Sequence, residues 1–336
     1  MVNRATGIGS MPGEDFGDAV QVVLGEVGDF PYLPELPARG ATASMTGRAL
    51  AIIAELGADL QPAGWRLTDA PGIDQRRAKS LLVQDLDTVE SLAQGHRGVF
   101  KLQVAGPWTL AATVERPRGD KVLADHGARR ELAQALAEGV RDHVADVRRR
   151  LSAADIVVQV DEPALPAVLA GGIATSSGFH RHRSVTVADA AQTLDWVLGA
   201  IADSGATTAV HCCATDLPFA VFKETSAQAL SADVGCLGSG SYDDVGGWVD
   251  AGRELWLGVV PSLAPSGQPP AGKLLTTEVL RWWSALGYSE PDALPDMTIT
   301  PGCGLAGASP QWARSALELS SQVARNLSVE QGKMDP

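Results

Sequence analysis

Apolar residues recur along this chain in two alternating rhythms. Phe16, Ala19, Val20, Val23 and Leu24 follow the three-and-four spacing of one helix face. Ile156 to Val160 is instead a nearly continuous β-branched run, as expected of a strand buried on both faces. The first rhythm predicts helices over 15–26, 46–56, 74–94, 187–204, 242–252, 276–286 and 310–326. It also predicts a long amphipathic helix within 121–151, broken near Gly127, and short helices after Gly106 and over 219–223. Strands are predicted over 5–10, 30–33, 98–104, 156–160, 207–211, 229–237, 255–260 and 297–300. The stretch from 57 to Gly72 carries no regular pattern. Strands separated by helices imply parallel pairing through right-handed crossovers, and about eight such units suggest closure. The expected fold is therefore α/β, a single (β/α)8 TIM barrel. No linker or low-complexity segment divides residues 1–336, which read as one domain.

In such a barrel the chemistry sits where strands end and loops begin. The predicted strand ends present Ser10, Glu35, Trp108, Asp161 with Glu162, His211 with Cys213, the 236–241 region and Cys303. Three of the chain's four cysteines lie in Val210-His211-Cys212-Cys213 and Thr300-Pro301-Gly302-Cys303-Gly304. Alternate side chains of a strand share a face, so His211 and Cys213 would point one way and Cys212 the other. An imidazole and a thiolate, joined by a thiolate from a distant strand end, supply three ligands of a tetrahedral zinc. A fourth position left open describes a catalytic metal. The plainer alternative is a set of buried cysteines beside a capping histidine. Glu35 can likewise be a turn residue between prolines, Asp161 and Glu162 helix caps, and Trp108 a packing residue. His180 and His182 lie in an arginine-rich loop that reads as solvated surface.

Composition narrows the partners. At a net charge of -13 the chain would be repelled by nucleic acid and by anionic membrane. No window approaches twenty uninterrupted apolar residues, and the opening Met1-Val2-Asn3-Arg4-Ala5-Thr6-Gly7 lacks the apolar core of a signal peptide. Scarce cysteine, without the spacing of a disulfide framework, points to a reducing cytoplasm.

Ile8-Gly9-Ser10, Gly106-Pro107-x-Thr109, Val160-Asp161-Glu162-Pro163-Ala164-Leu165, His211-x-Cys213 and Gly302-Cys303-Gly304-Leu305 follow one another in an order that can be named. The chain resembles the C-terminal domain of cobalamin-independent methionine synthase. That resemblance implies a TIM barrel, zinc on His211, Cys213 and Cys303, and the amino acid portion of homocysteine held by Ser10, Glu35 and Asp161. It implies methyl transfer to a thiol, a small-molecule substrate, and a donor that is methyltetrahydrofolate or a methylated corrinoid protein.

The departures are specific. The family's fourth zinc ligand, a Glu beyond an Ala-Asp-Val segment, corresponds here to Gly238, and Cys236 two residues earlier is the candidate replacement. The family's catalytic histidine has no counterpart in Val259-Val260-Pro261-Ser262-Leu263, so no catalytic acid is assigned. The family's separate N-terminal barrel is also without a counterpart. Two alternatives follow: a non-catalytic paralogue that keeps zinc as a clip, or a lyase resembling uroporphyrinogen decarboxylase. The second would need cations near the first strand, where Arg4 and Arg39 lie.

Overall fold

The computed structural model describes residues 3–288 and 296–332, so Met1 and Val2 lie outside the described residues. The chain opens with β1 (Arg4–Ala5), α1 (Phe16–Glu26) and α2 (Met45–Ile52), followed by β2 (Gly57–Gln61), β3 (Gly64–Thr68) and α3 (Ile73–Leu92). Next come β4 (Gly98–Ala105), α4 (Pro107–Thr113), α5 (His126–Arg150), β5 (Ala154–Asp161), α6 (Leu165–Leu169) and α7 (Val187–Asp203). The last part runs β6 (Thr207–His211), α8 (Phe219–Lys223), β7 (Ala229–Asp233), α9 (Tyr242–Asp250), β8 (Glu254–Val260), α10 (Gly272–Ala285), β9 (Thr298–Pro301) and α11 (Pro310–Gly332). Among the described residues no helix is long and apolar enough to cross a membrane.

Seven of the strands form one curled sheet in the order β1-β9-β8-β7-β6-β5-β4, with every neighbouring pair parallel. Register assigns its two faces. Gln103 pairs with Gln159, Gln159 with Ala209, Ala209 with Ala229, Ser231 with Trp256, and Trp256 with Thr298. These residues, with Lys101, Asp161 and His211 at two-residue steps along their strands, therefore share one face. The opposite face carries Phe100, Leu102, Val158, Val160, Val210, Leu230 and Leu257, which join the large core with the helices. A separate small cluster of Phe30, Val157, Ala209, Ala229 and Trp256 fills the lower part of the first face. Phe30 meets Trp256 edge-on, with ring centroids 5.4 Å apart.

An eighth regular strand is not formed where 30–33 was expected to supply one. Residues 31–35 instead make isolated parallel bridges, Tyr32 to Lys101 and Ser10 to Glu35. Lys101 N–H donates to the Pro31 carbonyl and Leu33 N–H to the Lys101 carbonyl, both at 2.9 Å. On the other side Glu35 N–H donates to the Gly9 carbonyl and Met11 N–H to the Glu35 carbonyl. The segment thus hydrogen-bonds both to β4 and to the chain just beyond β1. Pro31 and Pro34 lack N–H groups, which interrupts a regular ladder.

Other differences have equally local causes. The patternless stretch after 56 is an antiparallel hairpin of β2 and β3. The helix expected from 121 starts at His126, because the Asp125 carboxylate caps it by accepting from Ala128 N–H at 2.9 Å. The strand expected over 229–237 stops at Asp233, whose side chain accepts from Gly235 N–H at 2.7 Å and turns 234–236 into a 3-10 helix.

Candidate metal centre and pocket

His211 closes β6, Cys213 follows two residues later, and Cys303 lies just beyond β9. Their ligand atoms all lie within 4.8 Å of one another, and the two sulfurs are 3.0 Å apart. Cys212 turns the opposite way into the core, where burial pushes its thiol up to about 12. The alternation along the strand is thereby preserved.

The imidazole is oriented from behind. His211 Nδ1 is 3.1 Å from the Ser231 carbonyl oxygen, which can only accept, so Nδ1 carries the hydrogen. Nε2 is then a bare lone pair, and it is buried without a hydrogen-bond partner among the described residues. An orphaned imidazole nitrogen beside two sulfurs fits zinc, with a backbone carbonyl holding the other ring nitrogen. Contact with Cys213 and with His211 pulls the Cys303 thiol down, and the same contact pushes Cys213 up.

These groups border a cavity of about 320 Å³ that Ser10, Glu35 and Asp161 also line, with Pro37, Met45 and Pro163 as apolar walls. Ser10 is held by the last loop of the sheet. Its carbonyl accepts from Leu305 N–H at 2.8 Å, and Ala306 N–H reaches its hydroxyl at 3.4 Å. A Cβ on Gly304 would run into the Ser10 hydroxyl, so glycine there leaves the hydroxyl its place. Glu35 is buried, with its Oε1 3.3 Å from Gln103 Nε2 and 3.4 Å from Arg48 Nε. Arg48 in turn reaches Asp85, which is gripped by both terminal nitrogens of Arg39. Asp161 accepts from Gln159 Nε2 at 2.7 Å. Burial pushes the Asp161 carboxyl well above the usual carboxylate range and the nearby Glu35 charge adds to this, while Lys101 and the Gln159 hydrogen bond pull it back. Among the described residues nothing donates to Glu35 Oε2 or Asp161 Oδ2. Each carboxylate is therefore tethered at one oxygen and bare at the other.

Several singled-out residues are placed elsewhere. Cys236 ends the 3-10 turn, with its sulfur 3.9 Å from the Cys213 carbonyl oxygen, and it is not part of the cluster. Its selection assumed a strand that in fact ends at Asp233. Trp108 is buried away from the cavity, its indole N–H donating to the Ala190 carbonyl at 3.0 Å. Glu162 caps α4: it accepts from Trp108 N–H, from Thr109 N–H and from the Thr109 hydroxyl, at 2.9, 2.7 and 2.7 Å. The Gly106 and Asp161-Glu162 motifs are thus one interlocked corner. His182, expected at the solvated surface, is buried with Nε2 3.3 Å from Asp120. Sequence reasoning missed Lys101, Gln103, Gln159 and Arg48. Lys101 with Gln103, and Gln159 with Asp161, carried a signal as polar residues two apart inside otherwise apolar strands, whereas Arg48 lies on α2.

The family model for the catalytic domain of cobalamin-independent synthase matches residues 37–326. The chain belongs to this family. The match covers the cluster, Asp161 and the Arg48 network, while Ser10 and Glu35 precede it. Among solved structures, a B12-independent methionine synthase from Shewanella sp. W3-18-1, in complex with selenomethionine, is similar with a TM-score of 0.63 at 12% identity. The alignment covers 99% of this chain and 100% of that one, and at such identity it speaks for the fold. A D-tagatose 3-epimerase-like protein (TM-score 0.41, 12% identity, 74% and 85% covered) is too distant to carry an argument. The same holds for an aldo-keto reductase from Bacillus halodurans (0.40, 10%, 97% and 92%). No curated protein matches the chain.

Proposed function

We propose that this chain is a zinc-dependent methyltransferase that moves a methyl group to the sulfur of homocysteine or a similar thiol. Membership of the cobalamin-independent synthase family supports methyl transfer. The observation that carries the zinc reading is the His211, Cys213 and Cys303 cluster with its orphaned Nε2, opening onto a cavity that Glu35 and Asp161 also line. On this reading the whole chain works as one (β/α)8 barrel, with residues 31–35 as its second strand. The bridges from that segment to β4 and to Ser10 support it.

Bound to these three residues, zinc would hold an arriving thiol as its thiolate, a nucleophile that a free thiol of pKa about 8.5 supplies poorly at neutral pH. The protein's own groups do the rest. The Ser231 carbonyl accepts from His211 Nδ1, which leaves Nε2 to face the cluster. The bare oxygens of Glu35 and Asp161 receive the substrate ammonium. The Ser10 hydroxyl and loop N–H groups suit its carboxylate. Pro37, Met45 and Pro163 shield the sulfur from water, which strengthens the charge interactions around it. The methyl donor is either methyltetrahydrofolate or a methylated corrinoid protein. Without the family's histidine after β8, the second needs less help at its leaving group.

A zinc clip without turnover needs a fourth protein ligand. Gly238 offers no side chain and Cys236 stands outside the cluster, which favours the enzyme. The decarboxylase reading has less support, because Arg4 pairs with Glu254, Arg39 with Asp85, and neither lines the cavity. Metal analysis followed by zinc-edge X-ray absorption, with and without homocysteine, tests the proposal. Near one zinc per chain and a new sulfur neighbour on adding homocysteine are expected. A zinc shell that does not change would mean a clip, and absence of zinc would end the mechanism.

A further inference from the structure

We infer that Lys101 is the positioning residue that aims both substrate-facing carboxylates, an inference that rests on Glu35 and Asp161 receiving the substrate ammonium. Its ammonium group lies buried beneath the cavity and meets three oxygens: the Ile8 carbonyl at 2.7 Å, Gln159 Oε1 at 3.1 Å and Gln103 Oε1 at 3.3 Å. Three N–H bonds and three acceptors match; burial pulls the group down to about 7, while the Asp161 and Glu35 carboxylates favour its charged form. Because an ammonium cannot accept, each glutamine must turn its oxygen toward Lys101 and its NH2 away. The NH2 of Gln103 then points to Glu35, at 3.3 Å from Oε1, and that of Gln159 to Asp161, at 2.7 Å from Oδ1. One cation thus fixes the orientation of two amides, and each amide fixes one carboxylate. The second hydrogen of each amide goes to a carbonyl of the pocket wall, Leu33 for Gln103 and Ile8 for Gln159.

The Ile8 carbonyl that Lys101 meets precedes Gly9 and Ser10, and Ser10 itself is held independently by the Leu305 and Ala306 N–H groups. A side chain at Gly9 would meet Gln103 Cγ at 2.8 Å, so the loop and the amide are fitted to each other. Charge favours the arrangement as well. Two carboxylates buried at one cavity repel, and a cation below them offsets this without occupying the oxygens they present. Removing Lys101 frees both amides to flip. A flipped amide sets its own oxygen against the carboxylate and pushes it out of position.

The test is calorimetric titration of the purified full-length, metal-loaded protein with L-homocysteine and with 4-mercaptobutanoate, the same thiol acid without the amino group. Wild-type protein should prefer homocysteine by about tenfold or more, the effect of one charge-assisted contact. Lys101→Met should weaken homocysteine by about tenfold and leave 4-mercaptobutanoate within about twofold. An unchanged ratio in Lys101→Met would overturn the role of Lys101 while leaving the carboxylate reading intact. Equal weakening of both thiols would reduce Lys101 to general packing and also overturn it. No preference in the wild type would remove the carboxylate reading, and this inference with it. If Lys101→Met does not fold, Gln103→Leu and Gln159→Leu each sever one arm. Each should then lower the homocysteine preference by about threefold, and two unchanged ratios would refute the arrangement.

Discussion

On one face of the sheet, Val157, Ala209, Ala229 and Trp256 form a dry layer with Phe30. Toward the ends of the same strands Gln159, Asp161 and His211, joined by Lys101 from β4, form a polar one. The layers share strands and direction but depend on different physics. The lower is held by contact and burial, so it tolerates any set of side chains that fills its volume. In the upper, a donor or acceptor left without its partner costs more than the partner's removal gains. The apolar layer also bars water from below, which strengthens every charge interaction in the layer above. A stable plug and a chemically demanding pocket can therefore come from the same strands by changing every second residue.

That division can be broken from either side. The largest expected effect is from Cys213→Ser: zinc should fall from near one to below about 0.1 per chain, and methyl transfer by about 1000-fold or more, some 4 kcal/mol of barrier. The melting temperature of the metal-free variant should match that of metal-free wild type, and a collapse of the fold would show that the layers are not separable. Trp256→Ala should do the reverse, costing about 3–5 kcal/mol in urea denaturation while the folded fraction keeps its zinc. Loss of metal without loss of stability would contradict the comparison. Glu162→Ala strands three donors at the α4 corner and should cost about 3 kcal/mol, measured the same way, with the homocysteine preference of the surviving fold retained. Smallest of all, Cys236→Ser should leave zinc content and activity within about twofold, the range of a surface substitution. A large drop would restore Cys236 as a ligand.

The meeting of His211 with Cys213 was legible because the alternation of β6 continues just past its end, so the two share a side and Cys212 turns the other way. The same rule does not carry to Cys236, because the Asp233 side chain bends the chain into a turn before it and leaves its sulfur outside the cluster. Short-range capping of that kind competes with strand propensity and leaves little trace in hydropathy. Trp108 was chosen for its place at a strand end, but position along a strand does not say where a side chain points after the chain turns into α4. Seven of the expected strands are present, whereas residues 31–35 pair without regular strand geometry because two prolines withhold donors. The 57–68 hairpin stayed hidden because its strands are short and half-exposed. Lys101 was passed over because a lysine inside an apolar strand makes sense only once three acceptors from distant segments are seen around it.

The clasp between Ser10 and the 303–306 loop bears on how the molecule is made. Within the sheet β1 pairs with β9, so that ladder can form only after the intervening residues up to 298 have been made. Ser10, Glu35, Lys101 and Asp161 all emerge before His211, and Cys303 arrives 90 residues after Cys213. A nascent chain therefore carries a histidine and a thiol that cannot yet chelate together with Cys303. On the proposed zinc reading, capture by all three residues is open only to chains translated through Cys303.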